Sequence, residues 1–118
     1  ELSRDVHEAY INGDRAYLEK AANDILPALI TQTKTFRSCM ETQWMKENKP
    51  FGFEVQDIRI GGLIQRLKTA EKRIGEYING ESDRIPELEE TRLPILESEL
   101  DKAMFFNDWV RSVTASNI

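Results

Sequence analysis

Histidine and cysteine are almost missing from this sequence: there is one of each, His7 and Cys39. A lone cysteine excludes an internal disulfide and fits a reducing compartment, so the cytoplasm is the expected setting. His7 has no second histidine or cysteine at ligand spacing, so no metal site is expected, and it reads as a surface or packing residue. Cys39 reads as a buried, inert thiol, because a nucleophile would need a nearby base and His7 is the sole histidine available. A Gly-rich phosphate loop is missing as well, so no cofactor is expected. No apolar run approaches the roughly 20 residues that span a bilayer, which argues against a membrane partner. No signal peptide is recognisable. Positive charge is in deficit, with 16 Lys and Arg against 21 Asp and Glu and a net charge of −5; a general nucleic-acid binder would carry a basic face instead. Low-complexity tracts, internal repeats and clean alternation of polar and apolar residues are absent too, so no strand series is expected.

What remains is a chain of 118 residues with 40% hydrophobic and 31% charged content. It is apolar enough to fold and sized for one domain, spanning 1–118. The chain opens at Glu1 inside a helix-like pattern, and we expect it to be a piece of a longer protein. The fold class is all-α: an antiparallel helical bundle with two long helices, about 15–47 and 54–79, plus shorter N- and C-terminal helices. Ser3 can cap a first short helix carrying Val6, Ala9 and Tyr10, which Asn12-Gly13 ends. Asp14 caps the second, whose apolar face runs through Leu18, Ala22, Ile25, Leu29, Phe36 and Met40. Pro27 should kink it, since proline removes a backbone donor and crowds the preceding turn. In the third helix Ile60, Leu63, Leu67, Ala70, Ile74 and Tyr77 are spaced 3, 4, 3, 4 and 3, a heptad-like seam that Ile64 and Ile78 widen. Gly80 stops it. Pro86 suits the first turn of a fourth helix with Leu88 and Leu93, and Phe105, Phe106, Trp109, Val110 and Val113 suggest a last segment closing the bundle.

The two long helices meet in the stretch from Glu47 to Leu63. Pro50 and Gly52 break the first and reverse the chain, which makes the pair antiparallel. Phe51 and Phe53 flank Gly52, and a turn with two large apolar side chains should fold back onto the body. Glu54 or Asp57 then opens the next helix, where a carboxylate suits the positive end of the macrodipole. Gly61-Gly62 lies within that helix at a cost of about 1 kcal/mol each relative to alanine. Close approach of another backbone would compensate. Trp44, Phe51 and Phe53 suit either a packed corner or a sugar-stacking platform, and packing is the commoner use of aromatics at such a corner.

The acidic residues Glu81, Asp83, Glu87, Glu89, Glu90, Glu97, Glu99 and Asp101 do not resemble a glycosidase pair, which needs two convergent carboxyl groups in distinct environments. They read as a solvated face. Arg59, Arg66, Lys68, Lys72 and Arg73 make the third helix basic on its polar side, and pairing with that acidic segment explains them better than an anionic ligand.

The run Trp44, Glu47-Asn48-Lys49-Pro50-Phe51-Gly52-Phe53, and Val55-Gln56-Asp57-Ile58-Arg59-Ile60-Gly61-Gly62-Leu63 resembles the signature of a helical C-terminal domain. That domain belongs to a bacterial subgroup of glycoside hydrolase family 20, the β-N-acetylhexosaminidases. The likeness extends from Tyr10-Ile11-Asn12-Gly13-Asp14 to Leu93-Pro94. It implies a parent enzyme that removes terminal non-reducing N-acetylglucosamine by the retaining, substrate-assisted route. The catalytic Asp-Glu pair would lie on an upstream TIM barrel in the same chain. No residue here matches that pair, so no catalytic residue is assigned and the domain alone is expected to be inactive. Its implied task is to support the barrel and to help form a homodimer, with Trp44, Asn48, Phe51, Asp57, Arg59, Gly61 and Gly62 as candidate interface or substrate-proximal positions. Two other readings stay open on the residues alone. One is a stand-alone helical interaction or dimerisation module using the third-helix seam. The other is a small helical enzyme binding a dianion with Arg59 and Arg66, which would require both to face inward.

Overall fold

The computed structural model describes residues 2–90, and these are helical apart from short connections. Helix α1 is Leu2–Asn12, α2 is Arg15–Lys20, α3 is Leu26–Glu47, α4 is Phe53–Ile78 and α5 is the single turn Pro86–Glu89. A π-helical turn, Ala21–Ile25, joins α2 to α3 without interruption. The all-α antiparallel arrangement expected from the periodicity is therefore present, with the two long segments within a residue of their expected limits. The expected closing segment from Phe105 to Val113, together with Leu93, lies outside the described residues.

Local chemistry sets these boundaries. Gly13 and Gly80 adopt left-handed φ of +70° and +74°. Each closes its helix with the same pair of hydrogen bonds. Asp14 N–H donates to the Ala9 carbonyl at 2.8 Å and Gly13 N–H to Tyr10 at 3.2 Å; Glu81 N–H donates to Glu76 at 2.9 Å and Gly80 N–H to Tyr77 at 3.2 Å. This six-to-one and five-to-two pattern is the Schellman motif, which satisfies carbonyls that a helix end leaves orphaned. The Asp14 carboxylate accepts from Tyr17 N–H at 3.0 Å, the expected N-cap. Ser3 lies inside α1 rather than ahead of it, because the helix already begins at Leu2.

Pro27 differs from expectation in an instructive way. It stands one residue into α3, just past the π turn, where Leu26 N–H reaches five residues back to the Ala21 carbonyl. The wider turn relieves the crowding that a proline ring imposes on the preceding turn, so the helix absorbs Pro27 by adding a residue.

The core sits at one end of the molecule, the base. Val6 and Ala9 of α1, Leu18, Ala21, Ala22, Leu26 and Ile30 of the long helix, Leu67 and Ile74 of α4, and Ile85 form one buried cluster. The heptad seam supplies its α4 side through Leu67 and Ile74, and Ile60 further along the seam is buried as well. Tyr10 ties the base together. Its ring meets Tyr77 edge-on at 5.2 Å, its hydroxyl accepts from Ile85 N–H at 3.0 Å and donates to Glu89 at 2.6 Å. The hydrogen bond to Glu89 raises the Tyr10 pKa. Arg15 donates to the Ile78 carbonyl, fastening α2 to the end of α4.

Pairing of the basic α4 with the acidic fourth segment is present in part: Arg73 meets Glu87 at 3.0 Å. The Glu87 carboxylate is held below its ordinary pKa, first by its own backbone N–H and then by the Arg73 guanidinium, with Arg66 adding to the pull. A depressed carboxylate stabilises the fold above its unfolded pKa and loses that contribution as the pH falls through the folded value. Acidification below about 4.5, the ordinary value, should therefore loosen the turn Pro86–Glu89 while Ile85 stays in the core. Exchange of its amides, followed by NMR from pH 6 to 3, would show this, and Glu87→Gln should flatten the dependence.

Beyond the base, α3 and α4 run on as a two-helix arm, and the contact between them is the most extensive among the described elements. Among the described residues the arm is two helices deep.

Candidate interaction surface at the helical corner

The tip of the arm is a tight reversal built from Trp44 to Asp57. Helix α3 ends when Asn48 takes an extended conformation, φ −126° and ψ 169°, while its N–H still donates to Trp44. Pro50 follows, as proline suits the residue after a helix stop. Gly52 is left-handed at φ +98°, and a Cβ placed there would meet the Trp44 ring at 3.6 Å. The position therefore requires glycine on conformational grounds. The Trp44 indole N–H donates to the Lys49 carbonyl at 3.0 Å and its ring lies 5.9 Å from that of Phe53. Trp44 and Phe53 are thus the packed plug of the corner, with Phe53 4% exposed. Trp44 is half-buried with its polar edge spent on the backbone, which argues against a free sugar-stacking face.

Arg37 of α3 locks the plug from the side. Its guanidinium binds Asp57 Oδ1 through two nitrogens at 2.8 and 2.7 Å, reaches Glu41 at 3.0 Å, and lies 6.0 Å from the centre of the Phe53 ring. The Asp57 hydrogen bond raises the Arg37 pKa further. Asp57 was expected to cap or open α4; instead the helix opens at Phe53 after Gly52, and Asp57 is spent tying α4 to α3. Glu54 does sit in the first turn, and accepts from Gly52 N–H at 2.8 Å. Arg37→Leu should loosen the tip alone. We expect faster hydrogen exchange at the amides of 49–57 with the Leu67 and Ile74 region unchanged.

Four expectations fail here. Phe51 does not fold back onto the body: it is 88% exposed, because the plug has room for Trp44 and Phe53 only. Among the described residues Gly61 and Gly62 do not meet another backbone, since a Cβ built on either finds no atom within 4 Å. Gly61 lies between Asp57 and the side of α4 turned away from Ile60, and Gly62 lies on that side. Ile58 is there as well, 75% exposed, about 200° round the helix from buried Ile60. Val55, Ile58 and Gly62 follow one another at helical spacing and Phe51 precedes them, so the outer side of α4 near the tip carries a line of apolar and small residues facing solvent. Asn48 and Arg59 are exposed beside it. Cys39 is exposed too, contrary to the buried thiol expected. It lies on an open trough along α3 with Ser38, Thr42 and Lys46, too open to exclude water from a substrate. Phe36 is likewise exposed rather than part of the inner face of α3.

Among the seven candidate positions, then, Trp44 and Asp57 are structural parts of the corner, whereas Asn48, Phe51, Arg59, Gly61 and Gly62 remain available to a partner. Arg37 escaped the sequence reading. Its spacing of four from Glu41 is an ordinary helical ion pair, and nothing in the order of residues points across to Asp57. The line of Val55 and Ile58 could have been found, since both fall off the seam that Ile60 and Leu67 define. Among the described residues no group of three or more His, Cys, Asp or Glu is placed to hold a metal. No described helix is long and apolar enough to cross a membrane. Glu41 and Asp57 are paired with Arg37, and Glu54 with a backbone amide, so these three carboxylates are engaged in holding the corner.

Comparison with known families matches residues 1–106 to the Glycoside Hydrolase 20C C-terminal domain. No curated protein matches the chain.

Proposed function

We propose, for a chain that belongs to the Glycoside Hydrolase 20C C-terminal domain family, a non-catalytic role as the docking domain of a β-N-acetylhexosaminidase. A C-terminal domain of such a hydrolase implies a catalytic domain in the same chain. The reaction is the release of terminal non-reducing N-acetylglucosamine, run on that upstream barrel through the substrate's own acetamido group. This domain holds the barrel in place and contributes to a homodimer. The observation that carries the reading is the exposed line Phe51, Val55 and Ile58, at 88, 44 and 75% exposure on a rigidly braced arm. Apolar side chains aligned on one exposed helix side mark an interaction surface. The small residues Gly61 and Gly62 continue it and permit a second backbone to come close. An exposed thiol at Cys39 is best kept reduced, which supports a cytoplasmic setting.

The test is the whole enzyme carrying Phe51→Ser with Ile58→Ser. Fully burying each side chain contributes about 1.5–3 kcal/mol. The double variant should therefore weaken docking at least tenfold, lower the melting temperature of the catalytic domain and reduce turnover of a chromogenic N-acetylglucosaminide. The helicity of this domain should stay unchanged. Wild-type assembly, melting and turnover in the double variant would overturn the reading, as would turnover by the domain alone.

A further inference from the structure

We infer that Asn79 is a site of spontaneous deamidation, and that the fold directs this modification to it and away from Asn12. The same four residues, Tyr-Ile-Asn-Gly, stand at 10–13 and 77–80, each followed by an acidic residue, Asp14 or Glu81. The two meet at the base, where the Tyr10 and Tyr77 rings are 5.2 Å apart. An asparagine followed by glycine is open to attack on its side-chain amide, because glycine has no Cβ to shield its nitrogen. Asn23 and Asn48 precede Asp24 and Lys49 and lack that opening. Asn12 and Asn79 are both exposed, and among the described residues neither side-chain amide has a hydrogen-bond partner. By local sequence the two are equivalent.

In the reaction the Gly80 backbone nitrogen gives up its proton and bonds to Asn79 Cγ. The Cγ–Nδ2 bond breaks and ammonia leaves with a proton. Water then opens the resulting succinimide at either carbonyl, giving aspartate or isoaspartate, whose backbone is one methylene longer. The attack needs a free glycine nitrogen. In the closed fold both are engaged, Gly13 N–H with the Tyr10 carbonyl and Gly80 N–H with Tyr77, each at 3.2 Å. The reaction therefore waits on local opening, and its rate follows the free energy of that opening.

The two openings differ. Gly13 is held on both sides, since its carbonyl accepts from Arg15 N–H at 2.9 Å, and α2 follows at once with its Asp14 cap and buried Leu18. After Gly80 no helix starts until Pro86; Glu81, Asp83 and Arg84 are exposed, and the next core side chain is Ile85. Asn12 is itself the last residue of α1, whereas Asn79 stands outside α4. Opening at Gly80 frees a short exposed stretch, while opening at Gly13 must disturb α2. The isomer then does the damage. Its extra methylene breaks the spacing of the hydrogen bonds that Gly80, Glu81 and Ser82 return to α4, and with them the path to Ile85 and Glu89 on Tyr10. Aspartate leaves the backbone as it was, and Arg15, which donates to the Ile78 carbonyl, offsets its charge at the negative end of α4.

Peptide mass spectrometry of the full-length enzyme, incubated at mildly alkaline pH, tests the assignment. Asn79 should convert at least tenfold faster than Asn12, and Asn79→Ser should abolish conversion there. In urea, which opens both sites, the two rates should become equal. Equal rates in the folded enzyme would overturn the inference, as would faster conversion at Asn12, no conversion at either, or a preference for Asn79 that persists in urea. Amide exchange at 81–90 should be at least tenfold faster in the separated isoaspartate form and unchanged in Asn79→Asp. Acceleration in both, or in neither, would refute the role of the lengthened backbone.

Discussion

Replacing Leu18 by alanine should cost the domain about 3 kcal/mol, within the range of about 2–5 found for such truncations in closed cores. Leu18 is 1% exposed and is the largest fully buried side chain among the described residues. Its neighbours in the cluster include Ala9, Ala21 and Ala22, which have no rotamers with which to fill the space left behind. α2 is also fastened at both ends, by the Asp14 cap and by the π turn, so the helix cannot slide inward to close the gap. Against a total stability of about 5–15 kcal/mol this is a large share. The melting temperature followed by circular dichroism should fall by roughly 12 °C or more at this size. Leu18→Met, which keeps the volume, should cost less than about 1.5 kcal/mol. A loss under about 1 kcal/mol for the alanine variant would mean that the base is not the cooperative centre of the fold.

The second large effect has opposite signs in two settings. Gly61 and Gly62 lie in the middle of α4, have ordinary helical φ, and would meet nothing within 4 Å if each gained a Cβ. Alanine is better than glycine in a helix interior by about 1 kcal/mol per position. Gly61→Ala with Gly62→Ala should therefore stabilise the isolated domain by about 2 kcal/mol and raise its melting temperature by about 8 °C or more. In the whole enzyme the same two methyl groups would stand on the side of α4 that the proposed partner approaches, and assembly should weaken. A domain stabilised without any change in the enzyme would leave the glycines with no docking role. A domain that gains nothing would show that α4 is already paired there.

The fold was legible wherever a repeating interval carried it. The seam from Ile60 to Tyr77 gave α4, and Asn12-Gly13 and Gly80 gave two helix ends, because only glycine enters a left-handed conformation at low cost. The interaction surface was less legible. Phe51 and Phe53 are the same residue type two positions apart, yet one is buried and the other almost fully exposed. Which of the two fills the corner depends on where Trp44 and Arg37 stand, and they come from the preceding helix. Asp57 was misassigned for a similar reason, since a carboxylate near a helix start has a ready local explanation, and its partner twenty residues earlier left no sign in the order of residues. Pro27 was read as a kink because the π turn that accommodates it has no residue pattern of its own.

That turn has a wider consequence. One supernumerary residue between Lys20 and Leu26 shifts everything after it by about 100° relative to an unbroken α-helix. The base and the arm are thereby phased independently: Leu18 and Ala21 face inward at one end while Arg37 and Trp44 face α4 at the other. The bearing of the arm, and with it the direction in which Phe51 and Ile58 look out, is set by that single extra residue.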